Sequence, residues 1–323
     1  MVLALSRKDI ASVLNMDDVI DAVEKAFRDF AKGRAKMPPR SLMEFPEEKG
    51  WVGIMPASIA SSMGTKVVTV FKNNTRKSMP TTMATMLLND AETGESLAVM
   101  EAGLITAMRT GAASAIAAKY LARKDSHVVG LFGAGIQAEH QILGISRVRE
   151  INTVKLYTPT GARQQEFAKK MEKEIGAEFR IVKPKETVQN SDIVITATTS
   201  PTPVFNGGWV SDGTHVSAIG SHKRDTRELD ALLIARAKVV VELREIALRE
   251  AGEILLPIAD RKNVNIYAEL PELVSGKKKG RTSDSEITVY KGCGIAIEDL
   301  AAAKLAYDKA TRKGLGKNIQ LEN

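Results

Sequence analysis

Cysteine is nearly absent from this chain of 323 residues, in which Cys293 stands alone. No internal disulfide can form and no cysteine-rich zinc site can be assembled, and no metal site is expected. Aromatic residues, which stack on bases, make up only 5%, so nucleic acid is not the expected partner. No stretch reaches the roughly 18 uninterrupted apolar residues of a membrane span. The start, Met1 to Lys8, lacks the apolar core and preceding basic region of a signal peptide. The expectation is a cytoplasmic protein with no membrane contact.

What is present is ordinary in bulk: 44% hydrophobic and 26% charged residues, enough chain for about two domains. The net charge of +7 suits anionic ligands. The dense basic run Lys277-Lys278-Lys279-Gly280-Arg281 reads as a solvated loop.

The most informative stretch is Gly133-Ala134-Gly135-Ile136-Gln137-Ala138, which follows the apolar run Val128–Phe132. Strand, tight glycine turn and helix start in the spacing G-x-G-x-x-A form a dinucleotide-binding fingerprint. Gly133 permits the turn, Gly135 lets a pyrophosphate approach the backbone, and Ala138 lets the helix pack on the strand. The amides at Ile136, Gln137 and Ala138 open the helix, where its dipole favours phosphate charge.

Apolar residues Val19, Ile20, Val23, Phe27 and Phe30 recur at helical spacing and predict a helix over 16–35. Strands are predicted at Ser41–Phe45 and Gly64–Phe71, followed by a hairpin around Asn89 to Glu95 and an alanine-rich helix over Gly103–Arg123. From Val128 the pattern alternates. Strands are expected at Val128–Phe132, Thr153–Tyr157, Ile193–Thr196, His215–Ile219 and Lys238–Val241, with a helix at Ala162–Ile175, which argues for a parallel sheet. A strand at Glu286–Tyr290 and a helix at Ile297–Lys313 follow.

The end of the second strand of such a sheet selects the dinucleotide. An acid there would bond a ribose 2′-hydroxyl and repel a 2′-phosphate. Here Tyr157 runs into Thr158-Pro159-Thr160-Gly161-Ala162-Arg163 with no acid. Thr158, Thr160 and Arg163 can bind a 2′-phosphate, so NADP(H) is favoured, with NAD(H) the alternative if Arg163 is only a solvated helix-start residue. Ala197, Thr198 and Thr199 form a hydroxyl-rich wall for ribose or nicotinamide, or else an ordinary capping turn.

Further segments carry a resemblance that covers nearly the whole chain. They are Met37-Pro38-Pro39-Arg40, Gly64-Thr65-Lys66, Met79–Ala84, Leu97–Met100, Arg109–Ala113, Ala218–Ser221, Arg227–Asp230, Asp284–Tyr290, Gly294 and Glu298-Asp299. Together with the glycine turn they resemble the ornithine cyclodeaminase/mu-crystallin family. The resemblance implies a Rossmann domain over 123–297 and an α+β substrate-binding and dimerising domain from 1–122 and 298–323, in a homodimer. It implies a carboxylate clamp at Arg40, Lys66 and Arg109, of which Lys66 and Arg109 are the catalytic candidates. It also implies cofactor contacts at Ile219, Gly220, Ser221 and Gly292. The chemistry agrees, since arginine grips a carboxylate with two parallel bonds and lysine adds a mobile donor. A desolvated Lys66 would have a lowered pKa and could trade a proton. Cys293 falls near the nicotinamide by family position and reads as a small buried residue rather than a nucleophile.

One departure bears on the reaction. Cyclodeaminases of the family carry an aspartate shortly after the glycine of the Ala-Ile-Gly segment, and here that position is His222. His222 reads either as a substrate-side proton donor or as a loop histidine near cofactor phosphate or ribose. Cyclodeamination is thereby disfavoured. The expectation is an NAD(P)H-dependent oxidoreductase that reduces the C=N bond of a small α-imino acid, pyrroline- or piperideine-2-carboxylate, to L-proline or L-pipecolate. Alanine dehydrogenase, ornithine cyclodeaminase and a non-catalytic NADPH-dependent ligand binder are the alternatives.

Overall fold

A computed structural model describes residues 1–320, apart from the side chain of Thr75. The first elements are β1 (Val2–Leu5), α1 (Arg7–Val13), α2 (Met16–Ala31), β2 (Ala35–Lys36), β3 (Ser41–Phe45), β4 (Gly50–Ile59) and β5 (Ser62–Phe71). Then come β6 (Thr82–Asp90), β7 (Ser96–Glu101), α3 (Gly103–Leu121), β8 (Val128–Phe132), α4 (Ile136–Val148), β9 (Thr153–Tyr157), α5 (Gln164–Ile175) and β10 (Glu178–Ile181). They are followed by α6 (Pro184–Val188), β11 (Ile193–Thr196), β12 (His215–Ala218), α7 (Ala231–Arg236), β13 (Lys238–Val241), α8 (Arg244–Glu250) and α9 (Gly252–Ala259). The last are β14 (Ile266–Glu269), α10 (Leu270–Val274), β15 (Thr288–Lys291), α11 (Ala296–Arg312) and β16 (Lys317–Ile319).

The chain forms two compact units, Met1–Arg109 with Ile295–Asn323, and Thr110–Gly294. Divisions drawn from the sequence after 122 and 297 fall elsewhere. Helix α3 runs through the first division, and the opening turn of α11 belongs to the first unit. Residues 321–323 of the first expected domain lie outside the described residues.

The first unit is a sheet in the order β16-β1-β7-β6-β5-β4-β2, with β3 paired to β4. Side chains alternate across a strand, and β5 shows it: Ser62, Gly64, Lys66 and Val68 are buried, while Met63 and Val67 are exposed. The buried face also carries Met55, Met86, Leu88, Ala98 and Met100. Helix α11 lies on this face against β4, β5 and β6, and α2 packs on α11. The sequence pattern hid β4, because Gly50, Gly53 and Pro56 disfavour strands. Pro56 is tolerated because β3 pairs with Gly50–Ile54 and β2 with Ser58 and Ile59, which leaves its missing N–H in the gap between them.

The second unit is a parallel sheet in the order β10-β9-β8-β11-β12-β15-β13-β14. Alternation again sorts the core. Val129, Leu131, Ile193 and Ile195 pack with α4 and α5 through Ile142, Ile145, Phe167 and Met171. Phe132, Val194, Val216, Val239 and Val241 join Leu233 and Ile254 in a second cluster on the other face. Helices therefore cover both faces, the doubly wound arrangement. The short edge strand β10 escaped the sequence reading because its Glu178 and Arg180 give it no apolar run, a common way to blunt an edge. The chain leaves β8 toward β9 on one side and returns through β11 on the other, so the strand order reverses between β8 and β11.

Candidate functional site

In the first unit a buried ion cluster gathers on the inner face of the sheet. Lys66, on β5, is 1% exposed, and Arg109, on α3, is 5% exposed. The opening turn of α11 brings Glu298 and Asp299 to them. Lys66 Nζ lies 2.7 Å from Asp299 Oδ2 and donates to Thr106 Oγ1 at 3.3 Å. Arg109 Nε donates to Asp299 Oδ1 at 2.9 Å, and its Nη1 donates to Glu298 Oε2 at 2.6 Å. Asp299 thus bridges the lysine and the arginine with its two oxygens.

Burial lowers the Lys66 pKa to about 8; Asp299 opposes the shift, while Arg109 and Arg40 reinforce it. Burial alone would raise Asp299, but Arg109 and Lys66 hold it below its ordinary value. Arg40, half-buried in the loop ahead of β3, is thus electrostatically coupled to Lys66. Two of the three expected clamp residues, Lys66 and Arg109, meet on the carboxylates of Glu298 and Asp299, and Arg40 acts on Lys66 through its charge. The sequence reading assigned no role to either acid. Acids in a first turn are the usual complement of the helix dipole, so although the Glu298-Asp299 segment matches, nothing local gave these acids a role in the site.

In the second unit the expected cofactor residues lie at the carboxyl ends of parallel strands, the edge where open α/β sheets bind ligands. Gly133, Gly135, Ile136, Gln137 and Ala138 follow β8, and Ala197, Thr198 and Thr199 follow β11. Thr158, Thr160 and Arg163 follow β9, Ile219, Gly220 and Ser221 follow β12, and Gly292 follows β15. Gly133 has φ +115°, and a Cβ there would stand 2.5 Å from the Ala197 carbonyl oxygen, so only glycine fits the turn. Gly135 caps α4 with no side-chain hydrogen bond, and a Cβ on it would meet only open space. The first-turn amides of α4 therefore border room for a phosphate, and the residues fit the pyrophosphate of a dinucleotide. Thr160 and Arg163 are exposed, as the binding of a ribose substituent requires.

His222 follows Ser221 in the second unit and is half-buried. Cys293 is half-buried, and its backbone N–H donates to Glu242. Among the described residues no group of three or more His, Cys, Asp or Glu side chains is placed to hold a metal ion. Among them too, no helix is long and apolar enough to cross a membrane.

The doubly wound sheet with its glycine turn at the switch point, joined to a second α+β unit, defines a Rossmann-type α/β protein. The chain belongs to the ornithine cyclodeaminase/mu-crystallin family, whose model matches residues 2–314. It is 41% identical over 323 residues to an alanine dehydrogenase of Archaeoglobus fulgidus, with 98% of each chain covered. Among solved structures it resembles the Δ1-pyrroline-2-carboxylate reductase of Thermococcus litoralis in complex with NADH and L-proline. The identity is 43%, the TM-score 0.96, and 98% of this chain and 100% of that one are covered. An archaeal alanine dehydrogenase dimer with bound NAD is 39% identical, with a TM-score of 0.95 and 99% of each chain covered.

Proposed function

We propose that the protein is an NAD(P)H-dependent reductase of small cyclic α-imino acids, pyrroline- or piperideine-2-carboxylate, giving L-proline or L-pipecolate. The observation that carries this reading is the buried cluster of Lys66, Arg109 and Asp299. Together with Arg40 and Glu298 it formally carries one more positive than negative charge, so a single substrate carboxylate balances it. Arg109 is held by both acids in a fixed orientation, ready to grip a carboxylate, and Arg40 adds a second guanidinium. Lys66, with its pKa near 8, holds a proton at neutral pH and can release it to the imine nitrogen. Protonation makes the C=N carbon more electrophilic. The reduced nicotinamide, when bound, supplies the hydride equivalent to that carbon.

A dinucleotide would be held by the second unit, its pyrophosphate by the α4 amides and its ribose ends by Thr158, Thr160, Arg163 and Thr198. NADP(H) is the favoured form, because the turn after β9 carries Arg163 and no acid, and NAD(H) is the second form. His222, where a cyclodeaminase would hold an aspartate, argues against ornithine as substrate. Alanine dehydrogenase is the second reading, favoured by the 41% identity to the Archaeoglobus enzyme. It needs the same clamp, with ammonia and pyruvate forming the imine.

A second copy of the chain is the proposed partner. The outer face of the first unit's sheet exposes Ile54, Met63, Val67, Met83 and Leu87, an apolar surface that an isolated protein rarely leaves uncovered.

The test is a substrate panel with NADPH and with NADH. Turnover of pyrroline-2-carboxylate but not of pyruvate with ammonia supports the reductase. The opposite pattern establishes the dehydrogenase. Proline and ammonia released from ornithine with no net change in dinucleotide would overturn both.

A further inference from the structure

In the second unit the loop leaving β11 and the start of the loop leaving β12 are tied together by one buried side chain from the far end of the second loop, Ile219 to Asp230. Glu228 is completely buried. Its Oε1 accepts from the Thr198 backbone N–H and from Thr198 Oγ1, both at 2.7 Å. Its Oε2 accepts from the Gly220 backbone N–H at 2.7 Å and from Thr196 Oγ1 at 2.9 Å. The two main-chain N–H groups can only donate, and each takes a different oxygen. Gly220 is part of the same lock. A Cβ there would stand 2.3 Å from the Thr198 carbonyl oxygen, so the two backbones pass at a distance that only glycine allows.

The clamp is itself fixed from behind. The Glu228 backbone N–H donates to Glu253 Oε1 at 2.8 Å, and Glu253 Oε2 lies 3.4 Å from Lys291 Nζ. Lys291, the last residue of β15, also donates to the carbonyls of Ala218 and Ser221. A carboxylate buried this deeply is costly unless its acceptors are filled. Here they are filled almost entirely by the two loops.

We propose that Glu228 is a positioning residue for the dinucleotide, its carboxylate fastening the Thr198 loop to the Gly220 loop so that both present a fixed surface to the cofactor. The assignment rests on the reading that these loops bind a dinucleotide. Glutamine at 228 would keep the shape but replace one acceptor with an NH₂ donor. That donor would face either the Thr198 or the Gly220 N–H, and one loop would come loose.

The experiment compares the native protein with Glu228→Gln by NADH and NADPH fluorescence titration, steady-state kinetics and amide hydrogen exchange. The expected result is a dinucleotide Kd raised on the order of tenfold. The kinetic loss should fall on the KM for dinucleotide rather than on kcat. Exchange should quicken at Thr198 and Gly220 and not at mid-strand Val194 and Val216. Faster exchange at the two loops with a Kd within twofold of native would overturn the proposal, as would unchanged exchange. If Glu228→Gln does not fold, Thr198→Val removes one donor and spares the carboxylate. It should raise the Kd by about threefold and quicken exchange at Gly220 across the clamp, and no change in either would overturn the proposal. A native protein that binds neither dinucleotide would instead sink the dinucleotide reading, and faster exchange in the variant would still show the clamp.

Discussion

Lys66 Nζ and Arg109 Nε meet on one carboxylate, at 2.7 Å from Asp299 Oδ2 and 2.9 Å from Asp299 Oδ1. All three groups are buried, where ions are expensive unless each is paired. The lysine and the arginine are thus not independent of each other. A change in Asp299 moves both, the first through its proton affinity and the second through its orientation.

The proton affinity gives the first prediction. Lys66 titrates near pH 8, and the ammonium is the form that donates to an imine. Reductive kcat/KM should fall as pH rises through about 8, while the oxidation of proline, which needs the neutral amine, should rise through the same pH. Asp299→Asn removes an anion that favours the ammonium, so the alkaline limb of the reductive profile should move to lower pH by about one unit or more. Lys66→Met should flatten the limb and lower kcat by roughly 10²–10⁴-fold. An Asp299→Asn profile superimposable on the native one would remove Lys66 from proton transfer.

Arg109 carries the second prediction. Arg109→Lys keeps the charge and loses the planar fork. The KM for the imino acid should rise by about tenfold or more, with the dinucleotide KM little changed. Arg109→Met should go further, because Glu298 and Asp299 lose their guanidinium. Breaking a buried pair of this kind costs about 3–5 kcal/mol, measurable by urea unfolding. Equal imino-acid KM values for native enzyme and Arg109→Lys would show that the fork does not grip the carboxylate.

These predictions mark what could and could not be read from the residues. The glycine turn, the strands β8, β9, β11, β12 and β13 and the cations Lys66 and Arg109 are local signals: spacing, apolar runs and matched segments. Asp299 is not. It reaches Arg109 across 190 residues of sequence, and in its own helix it looks like a routine first-turn acid. Glu228 likewise lies in a matched segment, Arg227–Asp230, but its partners Thr198 and Gly220 come together only when β11 and β12 pair. Strand β4 was lost to the opposite fault, because Gly53 and Pro56 signal a break that flanking strands override. The register of β4 on β5, which sets Ile54 opposite Val67, is likewise a tertiary fact.

Cofactor choice is tested at Arg163, which stands exposed at the start of α5 with φ +71°. With a 2′-phosphate as its ligand, Arg163→Ala should raise the KM for NADPH by about tenfold, the worth of a charge-assisted hydrogen bond. The KM for NADH should stay within about twofold, and the gap between the two should narrow in high salt. Equal effects on both dinucleotides would make Arg163 a helix-start residue with no part in selection.

The outer sheet face is tested through assembly. Ile54, Val67 and Leu87 are 45%, 40% and 40% exposed. Val67 pairs with Ile54 on one side and Thr85 on the other, while Leu87 pairs with Thr65, so their side chains share one face. Lys66 points to the opposite face, and substitution at Val67 therefore leaves the ion cluster in place. A lysine at each of two central positions would force ammonium groups into an apolar interface, at a cost of several kcal/mol once desolvated. Native protein should sediment at twice the chain mass of 35.0 kDa. The double variant Val67→Lys, Leu87→Lys should sediment at the single mass, with an unchanged far-ultraviolet circular dichroism spectrum. A variant that remains dimeric at micromolar concentration would place the interface on a different surface.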